Sequence, residues 1–372
     1  MKNIVAITTA VIVGTAAMTA QPASAKELIY GSWLGAKSAT NLRSMPAYFE
    51  AIKKSTNGEI EWKLVGGGQL ASGPGTIDAV KNGLMDAGVM MAPYTPKEVP
   101  SSNLIFNQSL IGDHLLASVG AMNETLMLNC PSCHEEFRRN NAVGFSGFGV
   151  SPYLFMCRKE VKTTADLNGL KVRGSGAGVS IVKLAGGTPV AMPPNEATTA
   201  LERGVLDCVL GGVSWLRNFG YMDVVKYVLD APMGMGGPPV MMYMNRKSWA
   251  GLTPAQRKAH VDNAALLVAV HMFQAEVAFD QEVIEEAKKK GIVFHKGGND
   301  FMKVMEQWNS QQRAQNIKNA ADAGVKNGDA IVDAYLASYK KWIELMKGIK
   351  TQDEYQAAIQ REIYSKIDPE KL

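Results

Sequence analysis

Segments with the hydrophobic pattern of strands alternate with helical ones from residue 27 onward. Residues 27–32 are strand-like, and residues 59–65 alternate polar and apolar side chains, which is typical of a half-buried strand. Between them, apolar residues at positions 47–52 predict a helix that ends at Asn57-Gly58. The order strand, helix, strand predicts βαβ units and a largely parallel sheet.

One eight-residue pattern occurs twice, at residues 79–86 and 200–207. Each copy contains Ala, an apolar residue, two further residues, Gly, two apolar residues and Asp. The pattern is typical of the last turn of a helix, a glycine with positive φ and then a short strand. Two copies in different halves of the chain predict two lobes built from the same α/β unit, although so common a unit also recurs by chance.

The second lobe is predicted to begin near Val150, and a long helix follows it. Strand-like segments occupy residues 153–157, 170–173 and 240–244. A capping box at residues 253–256, with no later Gly or Pro before Gly291, predicts a helix roughly 50 Å long that crosses between the lobes. The predicted division is lobe I at residues 26–149 and about 240–275, and lobe II with the C-terminal helices at residues 150–239 and about 276–372.

The N-terminus has the three parts of a secretory signal peptide. Lys2 is followed by an apolar run over residues 4–20 and by Ala23-Ser24-Ala25, a small-residue cleavage site. An uncleaved membrane anchor is the alternative, and the small residues and the Thr- and Gly-rich run weaken it. We therefore expect residues 1–25 to be removed on export to the periplasm, a compartment that permits disulfides.

Composition narrows the classes of function. The chain has 372 residues with 46% hydrophobic and 20% charged residues, which excludes wholesale disorder. A net charge of +4 is too small to indicate a nucleic-acid-binding or polybasic membrane surface. The most apolar later stretch, residues 264–279, is interrupted by His271, Gln274 and Glu276, so it does not predict a membrane span.

The four cysteines leave several possibilities open. Cys130, Cys133 and His134 form a C-x-x-C-H pattern, which is compatible with c-type haem attachment, a redox dithiol or a structural disulfide. Cys157 and Cys208 lie in apolar, strand-like segments, either as buried thiols or as a bridge. Because the protein is expected to be exported, we predict two disulfides, Cys130–Cys133 and Cys157–Cys208.

Catalytic and cofactor patterns are weak. Glycines at residues 174–178 follow a strand and imitate a dinucleotide-binding loop, but their spacing departs from the full fingerprint. They still expose backbone N–H groups that favour an anion. The five histidines lack metal-ligand spacing, and no G-x-S-x-G motif occurs. We therefore expect no enzyme activity, no cofactor and no metal.

Residues 166–173, Asp-Leu-Asn-Gly-Leu-Lys-Val-Arg, closely resemble the D-L-x-G-L-K-[IV]-R motif of a known family. The block at residues 187–192, with Glu196, Ala200-Leu201, Gly204 and Asp207, resembles that family's next block. The chain thus resembles the solute-binding proteins, DctP type, of tripartite ATP-independent periplasmic (TRAP) transporters. The resemblance implies an α/β, type II-like periplasmic-binding-protein fold with two lobes, hinge strands and a long lobe-spanning helix.

The family's hallmark is an arginine that grips the ligand carboxylate, and it falls on Arg173. The residue types agree, because Arg173 ends a predicted strand before glycines, where α/β folds bind ligands. The forked guanidinium suits a planar carboxylate. A surface arginine that caps a loop is the alternative.

Other positions depart from the family in the direction of a less polar pocket. Tyr153 stands where many members carry a second basic contact, and Gly211 replaces a frequent asparagine. Cys208 replaces a glycine, while Trp33 and Met91 replace early polar contacts. The expected ligand contacts are Arg173, Tyr153, Trp215, Trp33, Tyr94, Met91 and Gly211, around an apolar, aromatic or cationic ligand body.

Together these features predict a periplasmic receptor for a small monocarboxylate, with a sulfonate also open. It would deliver the acid to TRAP membrane permease subunits for ion-coupled uptake. The alternative is a periplasmic oxidoreductase that uses Cys130 and Cys133 or a bound cofactor.

Overall fold

The structure is a computed structural model that describes residues 25–108, 110, 114–235, 237 and 240–372. The predicted signal peptide, apart from Ala25, lies outside these residues, so its cleavage stays a prediction. The strands are β1 (Lys26–Gly31), β2 (Ile60–Val65), β3 (Ala87–Met90), β4 (Ala142–Gly147), β5 (Leu154–Cys157), β6 (Lys171–Gly174), β7 (Thr188–Ala191), β8 (Cys208–Gly211), β9 (Tyr227–Asp230), β10 (Val240–Asn245) and β11 (Val293–Lys296).

Helices connect and cover these strands. They are α1 (Met45–Ser55), α2 (Thr76–Lys81), α3 (Pro100–Gln108), α4 (Leu115–Leu128), α5 (Pro131–Arg139), α6 (Gly178–Leu184), α7 (Pro194–Glu202), α8 (Trp215–Asn218), α9 (Arg246–Ala250), α10 (Pro254–Asp262), α11 (Ala264–Val270), α12 (Ala278–Lys289), α13 (Asn299–Asp322), α14 (Gly328–Met346) and α15 (Gln352–Glu362).

The strands form two sheets with the same internal plan. The first has the order β2-β1-β3-β10-β4 and the second β7-β6-β8-β5-β9-β11. In the first, β1 is parallel to β2 and β3, and β10 is antiparallel to β3 and β4. In the second, β6 is parallel to β7 and β8, and β5 is antiparallel to β8 and β9. The two-lobed α/β fold and its βαβ units are therefore confirmed. The predicted largely parallel sheet is wrong, because each sheet is mixed and takes in one strand, β10 or β5, that runs antiparallel to both of its neighbours.

The repeated eight-residue pattern forms the same structure in both sheets. Gly83 and Gly204 have φ angles of 73° and 72°, which glycine adopts without the strain of a Cβ. The carboxylates of Asp86 and Asp207 then accept a backbone N–H of the neighbouring strand, β1 in one sheet and β6 in the other, at 2.7 and 3.0 Å. Each aspartate thus fixes two parallel strands in register.

The long helix begins as predicted, with the Thr253 capping box, and continues in segments to Lys289. A turn at Asn263 separates α10 from α11, and a π-helical segment, His271–Val277, joins α11 to α12. The segment α11 contacts β4 and α1 of the first sheet's layer, whereas α12 contacts α8 of the second. The segmented helix therefore passes between the lobes as expected.

The C-terminal helices contact both lobes. Helix α13 packs against α3 and α6, α14 against α3 and α4, and α15 against α11. The close approach of α14 requires Gly120 on α4, since a Cβ there would lie 2.3 Å from the Trp342 ring. Because these helices touch first-lobe elements as well, the predicted boundaries between the lobes stay predictions. Among the described residues, none of the helices has both the length and the apolar character to cross a bilayer.

Both predicted disulfides are present. Cys130 and Cys133 are bonded at the start of α5, where the sulfur of Cys130 also accepts the N–H of Cys133 at 3.2 Å. Cys157 of β5 and Cys208 of β8 are direct partners in the antiparallel register, which brings their side chains together. The described residues contain no free cysteine.

Candidate functional site

Arg173 lies near the carboxyl end of β6 and is fully buried. Its Nε donates to the carbonyl of Met192 at 2.8 Å, and Nη1 makes a long bond of 3.4 Å to the carbonyl of Leu210. Nη2 has no hydrogen-bond partner within the described part of the chain. No ion pair to a carboxylate is found for this guanidinium among those residues. A buried cation with a free donor is suited to an incoming anion.

Three buried tyrosines surround this charge. Burial raises the pKa of Tyr153 to about 12 and raises the pKa values of Tyr94 and Tyr221 still further, while the positive charge of Arg173 partly lowers all three. The phenols therefore stay neutral and do not compensate the guanidinium. The local charge is positive, as a carboxylate-binding site requires.

A small cavity of about 40 Å³ lies between the two lobes, and Arg173 contacts one of its walls, the Trp215 ring. Trp33 follows β1, Met91 follows β3 and Trp215 follows β8, so these walls come from the carboxyl ends of strands. The cavity is lined by Trp33, Leu34, Ser38, Thr40, Met91, Tyr94, Phe148, Val150, Pro194, Trp215, Asn218, Phe219 and Glu276. The wall is therefore mostly aromatic and aliphatic, and both lobes contribute to it.

Contacts between rings hold the cavity wall. Trp33 stacks on Phe219 with 6.4 Å between ring centroids and meets Tyr94 edge-on at 5.6 Å. The indole N–H of Trp33 donates to the carbonyl of Val89 at 3.0 Å, which fixes the ring. Phe219 also meets Trp215 edge-on at 5.5 Å. These rings form one continuous aromatic surface across the lobe boundary.

The sequence-predicted contacts divide into two sets. Trp33, Met91, Tyr94 and Trp215 line the cavity, whereas Arg173, Tyr153 and Gly211 contact Trp215 without lining it. The guanidinium carbon of Arg173 lies 5.1 Å from the Trp215 ring centroid, and the Tyr153 ring lies 5.5 Å from it. A Cβ at position 211 would come within 2.1 Å of the indole, so glycine is what allows Trp215 to lie there.

The size of the cavity indicates that a ligand must displace its walls. A volume of about 40 Å³ is close to one water's share of liquid volume, about 30 Å³, whereas a cavity that takes up benzene measures about 150 Å³. A wider groove of about 400 Å³ adjoins it through Trp33, Asn218 and Phe219 and carries Lys37 and Arg217 at its rim. Entry from this groove requires the cavity walls, to which both lobes contribute, to move apart.

Glu276 is a site residue that the sequence prediction missed. It lines the cavity, is buried and lies in the π-helical segment. Its Oε2 accepts a long bond of 3.4 Å from the Ser151 N–H, and Oε1 lies 3.6 Å from Nε2 of His271. Burial raises the pKa of Glu276 to about 8; burial and the nearby Glu276 raise that of Asp280 to about 8 as well. The available signal was a pair of acids one helical turn apart in an apolar stretch.

These buried acids predict a pH-dependent stability. Glu276 and Asp280 keep their protons when folded up to about pH 8, whereas the unfolded chain loses them near pH 4.5 and 3.8. Stability should therefore fall as pH rises toward 8. Burial lowers the pKa of His271 to about 3 and of His260 to about 4, which gives the opposite trend, but only below about pH 6.5.

The clean window is therefore pH 6.5 to 8. There the free energy of unfolding should fall by roughly 1 kcal/mol per pH unit for each carboxyl. Urea unfolding at several pH values measures this slope, and the Glu276→Gln/Asp280→Asn double variant should flatten it. The exposed Glu285, on the same helical segment, supplies the matched control Glu285→Gln. An unchanged slope in the double variant would contradict the assignment.

Two lobes of equivalent topology, with a cavity at strand carboxyl ends between them, form the type II-like periplasmic-binding-protein fold. The chain belongs to the DctP family, described as bacterial extracellular solute-binding protein, family 7, whose profile it matches over residues 37–318. The predicted relationship to TRAP solute-binding proteins is thereby confirmed.

Similar proteins include receptors for several acids. The 2,3-diketo-L-gulonate-binding periplasmic protein YiaO of Escherichia coli is 23% identical over 76% of this chain and 84% of its own length. A TRAP solute-binding protein of Rhodoferax ferrireducens, solved with copurified benzoate, has a TM-score of 0.76 at 18% identity, covering 86% of this chain and 99% of its own. One from an unidentified marine microbe, solved with 3-hydroxybenzoate, has a TM-score of 0.75 at 22% identity, with coverage of 86% and 99%.

The oxidoreductase alternative is not supported. The family consists of solute-binding proteins, and Cys130 and Cys133 form a buried disulfide rather than an exposed thiol pair. Reactive dithiols are at least partly accessible to their partners. In this protein the two cysteines of the C-x-x-C-H pattern form a disulfide at the N-terminus of α5.

Proposed function

We propose that this protein is a periplasmic receptor, not an enzyme, for a small monocarboxylate with an apolar or aromatic body. The observation that carries the proposal is Arg173, a buried guanidinium with an unpartnered Nη2 beside an aromatic cavity between the lobes. When Trp215 shifts, Nη2 and Nη1 are the donors available for a bidentate pair with the carboxylate. Nη1 gives up only a long bond of 3.4 Å to Leu210.

The remaining predicted contacts take two roles. Trp33, Tyr94, Met91 and Trp215 are proposed to surround the ligand body, while Tyr153 and Gly211 hold Trp215 in position. Aromatic walls stabilise an apolar or aromatic body through its buried area and ring contacts. The benzoate and 3-hydroxybenzoate found in similar structures support an aromatic acid as the first ligand class to test.

A thermal-shift screen tests the proposed function. The panel contains benzoate, 3-hydroxybenzoate, mandelate, benzenesulfonate and 2,3-diketo-L-gulonate, with benzamide as a neutral match for benzoate. A true ligand at 100 times its Kd stabilises the folded state by about 2.7 kcal/mol. We expect an aromatic acid to raise the melting temperature and benzamide to leave it unchanged. Equal shifts with benzamide, or none with any acid, would contradict the proposal.

Export and delivery complete the proposal. The family supports a periplasmic location, and we propose cleavage after Ala25 and transfer of the acid to TRAP membrane subunits for ion-coupled uptake. Intact mass spectrometry of the periplasmic protein should give a chain that begins at Lys26. A mature product that retains residues 1–25 would refute cleavage at this site.

A further inference from the structure

Glu276 is the one carboxyl group on the cavity wall, as far as the described residues define that wall. The rest of the wall offers aromatic rings, aliphatic side chains, the hydroxyls of Ser38, Thr40 and Tyr94, and the Asn218 amide. Glu276 is only 4% exposed, so its position there costs desolvation of a polar group. A buried carboxyl group at this position must be compensated by hydrogen bonds, either within the protein or from a ligand.

The groups that face Glu276 do not satisfy it. Ser151, in the crossing between β4 and β5, donates a long hydrogen bond of 3.4 Å from its N–H, and its hydroxyl also interacts with the carboxyl group. His271 lies beyond hydrogen-bond distance at 3.6 Å. Asp280, one turn along the helix, adds negative rather than positive charge when ionised. The charges of both Arg173 and Glu276 shift the pKa of Tyr153, Arg173 lowering it and Glu276 raising it. No lysine or arginine pairs with Glu276 among the described residues.

A second buried glutamate shows what a structural role looks like in this protein. Glu136, 2% exposed, accepts the N–H of Ser101 at 2.6 Å and both the N–H and the hydroxyl of Ser102 at 3.2 Å. Its carboxylate caps the N-terminus of α3 and is fully used. Glu276 has about the same burial, but of the described residues only Ser151 donates to it, its backbone N–H at a long 3.4 Å, and the carboxyl group faces a cavity. The contrast indicates hydrogen-bonding capacity that is kept for a ligand.

We propose that Glu276 binds a hydrogen-bond donor on the part of the ligand that is remote from the carboxylate. This inference rests on the proposed function, in which Arg173 holds the carboxylate. The expected ligand is therefore an organic acid that also carries a hydroxyl or an ammonium group, rather than an acid whose body is a plain hydrocarbon. A hydroxyl donates an O–H, and an ammonium group an N–H, to the same carboxyl oxygen.

Proton counting distinguishes the two donors. A hydroxyl can bond to the neutral carboxyl, so its binding leaves the proton on Glu276. An ammonium group pairs best with the carboxylate, so its binding releases that proton to the buffer. The nearby titratable groups are His271, on the same π-helical segment, Asp280, on α12, and Tyr153, which directly precedes β5. Calorimetry in two buffers of different ionisation enthalpy measures the release.

Titration calorimetry with benzoate, the three hydroxybenzoate isomers and 3-(aminomethyl)benzoate tests the inference. We expect the wild type to bind at least one donor-bearing acid about tenfold more tightly than benzoate. Glu276→Leu should abolish this preference, so that the donor-bearing acid and benzoate bind with about the same Kd. Glu276→Gln, which keeps an acceptor oxygen, should retain part of the preference. Glu285→Leu, at an exposed position of the same helix, should behave like the wild type.

Two failures are distinguishable. If no acid binds the wild type, the proposed function fails, and this inference fails with it. If the acids bind but the ratio between hydroxybenzoate and benzoate is the same in wild type and Glu276→Leu, only the role of Glu276 is overturned. Proton release with 3-(aminomethyl)benzoate that persists in Glu276→Gln would likewise assign the proton to another group and overturn it.

Discussion

Arg173→Met should raise the Kd for an aromatic acid at least ten- to hundredfold. Loss of a hydrogen bond to a charged group costs about 1.5–3 kcal/mol, and more when the ligand carboxylate is left buried and unpaired. Arg173→Lys should also weaken binding, because a single ammonium cannot reproduce the two parallel donors of the guanidinium fork. Calorimetry with the acid found in the thermal-shift screen measures both variants.

Arg173→Met should weaken ligand binding without lowering the stability of the folded protein. The guanidinium is wholly buried without an ion-pair partner in the described residues. An apolar side chain of similar length therefore removes a desolvation cost, which offsets the loss of the hydrogen bonds to the Met192 and Leu210 carbonyls. The melting temperature without ligand should therefore be unchanged or higher. Arg203→Met, an exposed arginine just after α7, is the matched control and should leave both quantities unchanged.

Trp215 gives a contrasting expectation at the same site. Trp215→Leu removes ring area from the cavity wall but leaves the donors of Arg173, so binding should weaken while the preference for acids over benzamide remains. Unchanged affinity in Arg173→Met, with native circular dichroism, would move the anion site elsewhere. A loss of acid preference in Trp215→Leu would mean that the indole, not the guanidinium, selects the charge.

The sequence predicts the fold well where local chemistry is repeated. The glycine with positive φ and the following aspartate at residues 79–86 and 200–207 specify the same helix end and strand pairing twice, which is enough to infer two similar lobes. The capping box at Thr253 likewise fixes the start of the long helix. These features depend on neighbours in sequence, so the sequence contains them.

Features that depend on distant contacts were less accessible. The π-helical segment at His271–Val277 has no local signal in the sequence, and in the structure it packs against a second π-helical segment, Thr40–Ser44. Trp215 was predicted as a wall, but its position over Arg173 depends on Gly211 and Tyr153. The sequence identifies Glu276 only as a polar residue that interrupts an apolar stretch. A helical pattern does not predict whether a side chain will face the cavity between the lobes.

Loss of the Cys157–Cys208 disulfide should lower the free energy of unfolding by on the order of 4 kcal/mol. The bridge closes a loop with a sequence separation of 51 residues, whereas Cys130 and Cys133 are separated by 3. In the chain-entropy account, the short loop contributes about 2 kcal/mol or less, because the closure entropy grows with the logarithm of loop length. The longer bridge is therefore expected to dominate.

The two pairs provide their own control, because all four sulfur atoms belong to buried side chains. Replacing either pair by alanine removes similar buried volume, so the difference between Cys157→Ala/Cys208→Ala and Cys130→Ala/Cys133→Ala reports mainly loop closure. In urea unfolding, the free energy of unfolding of Cys157→Ala/Cys208→Ala should be about 2 kcal/mol or more below that of Cys130→Ala/Cys133→Ala. Equal losses would mean that burial of the sulfur atoms, not restriction of the unfolded chain, is what each disulfide contributes.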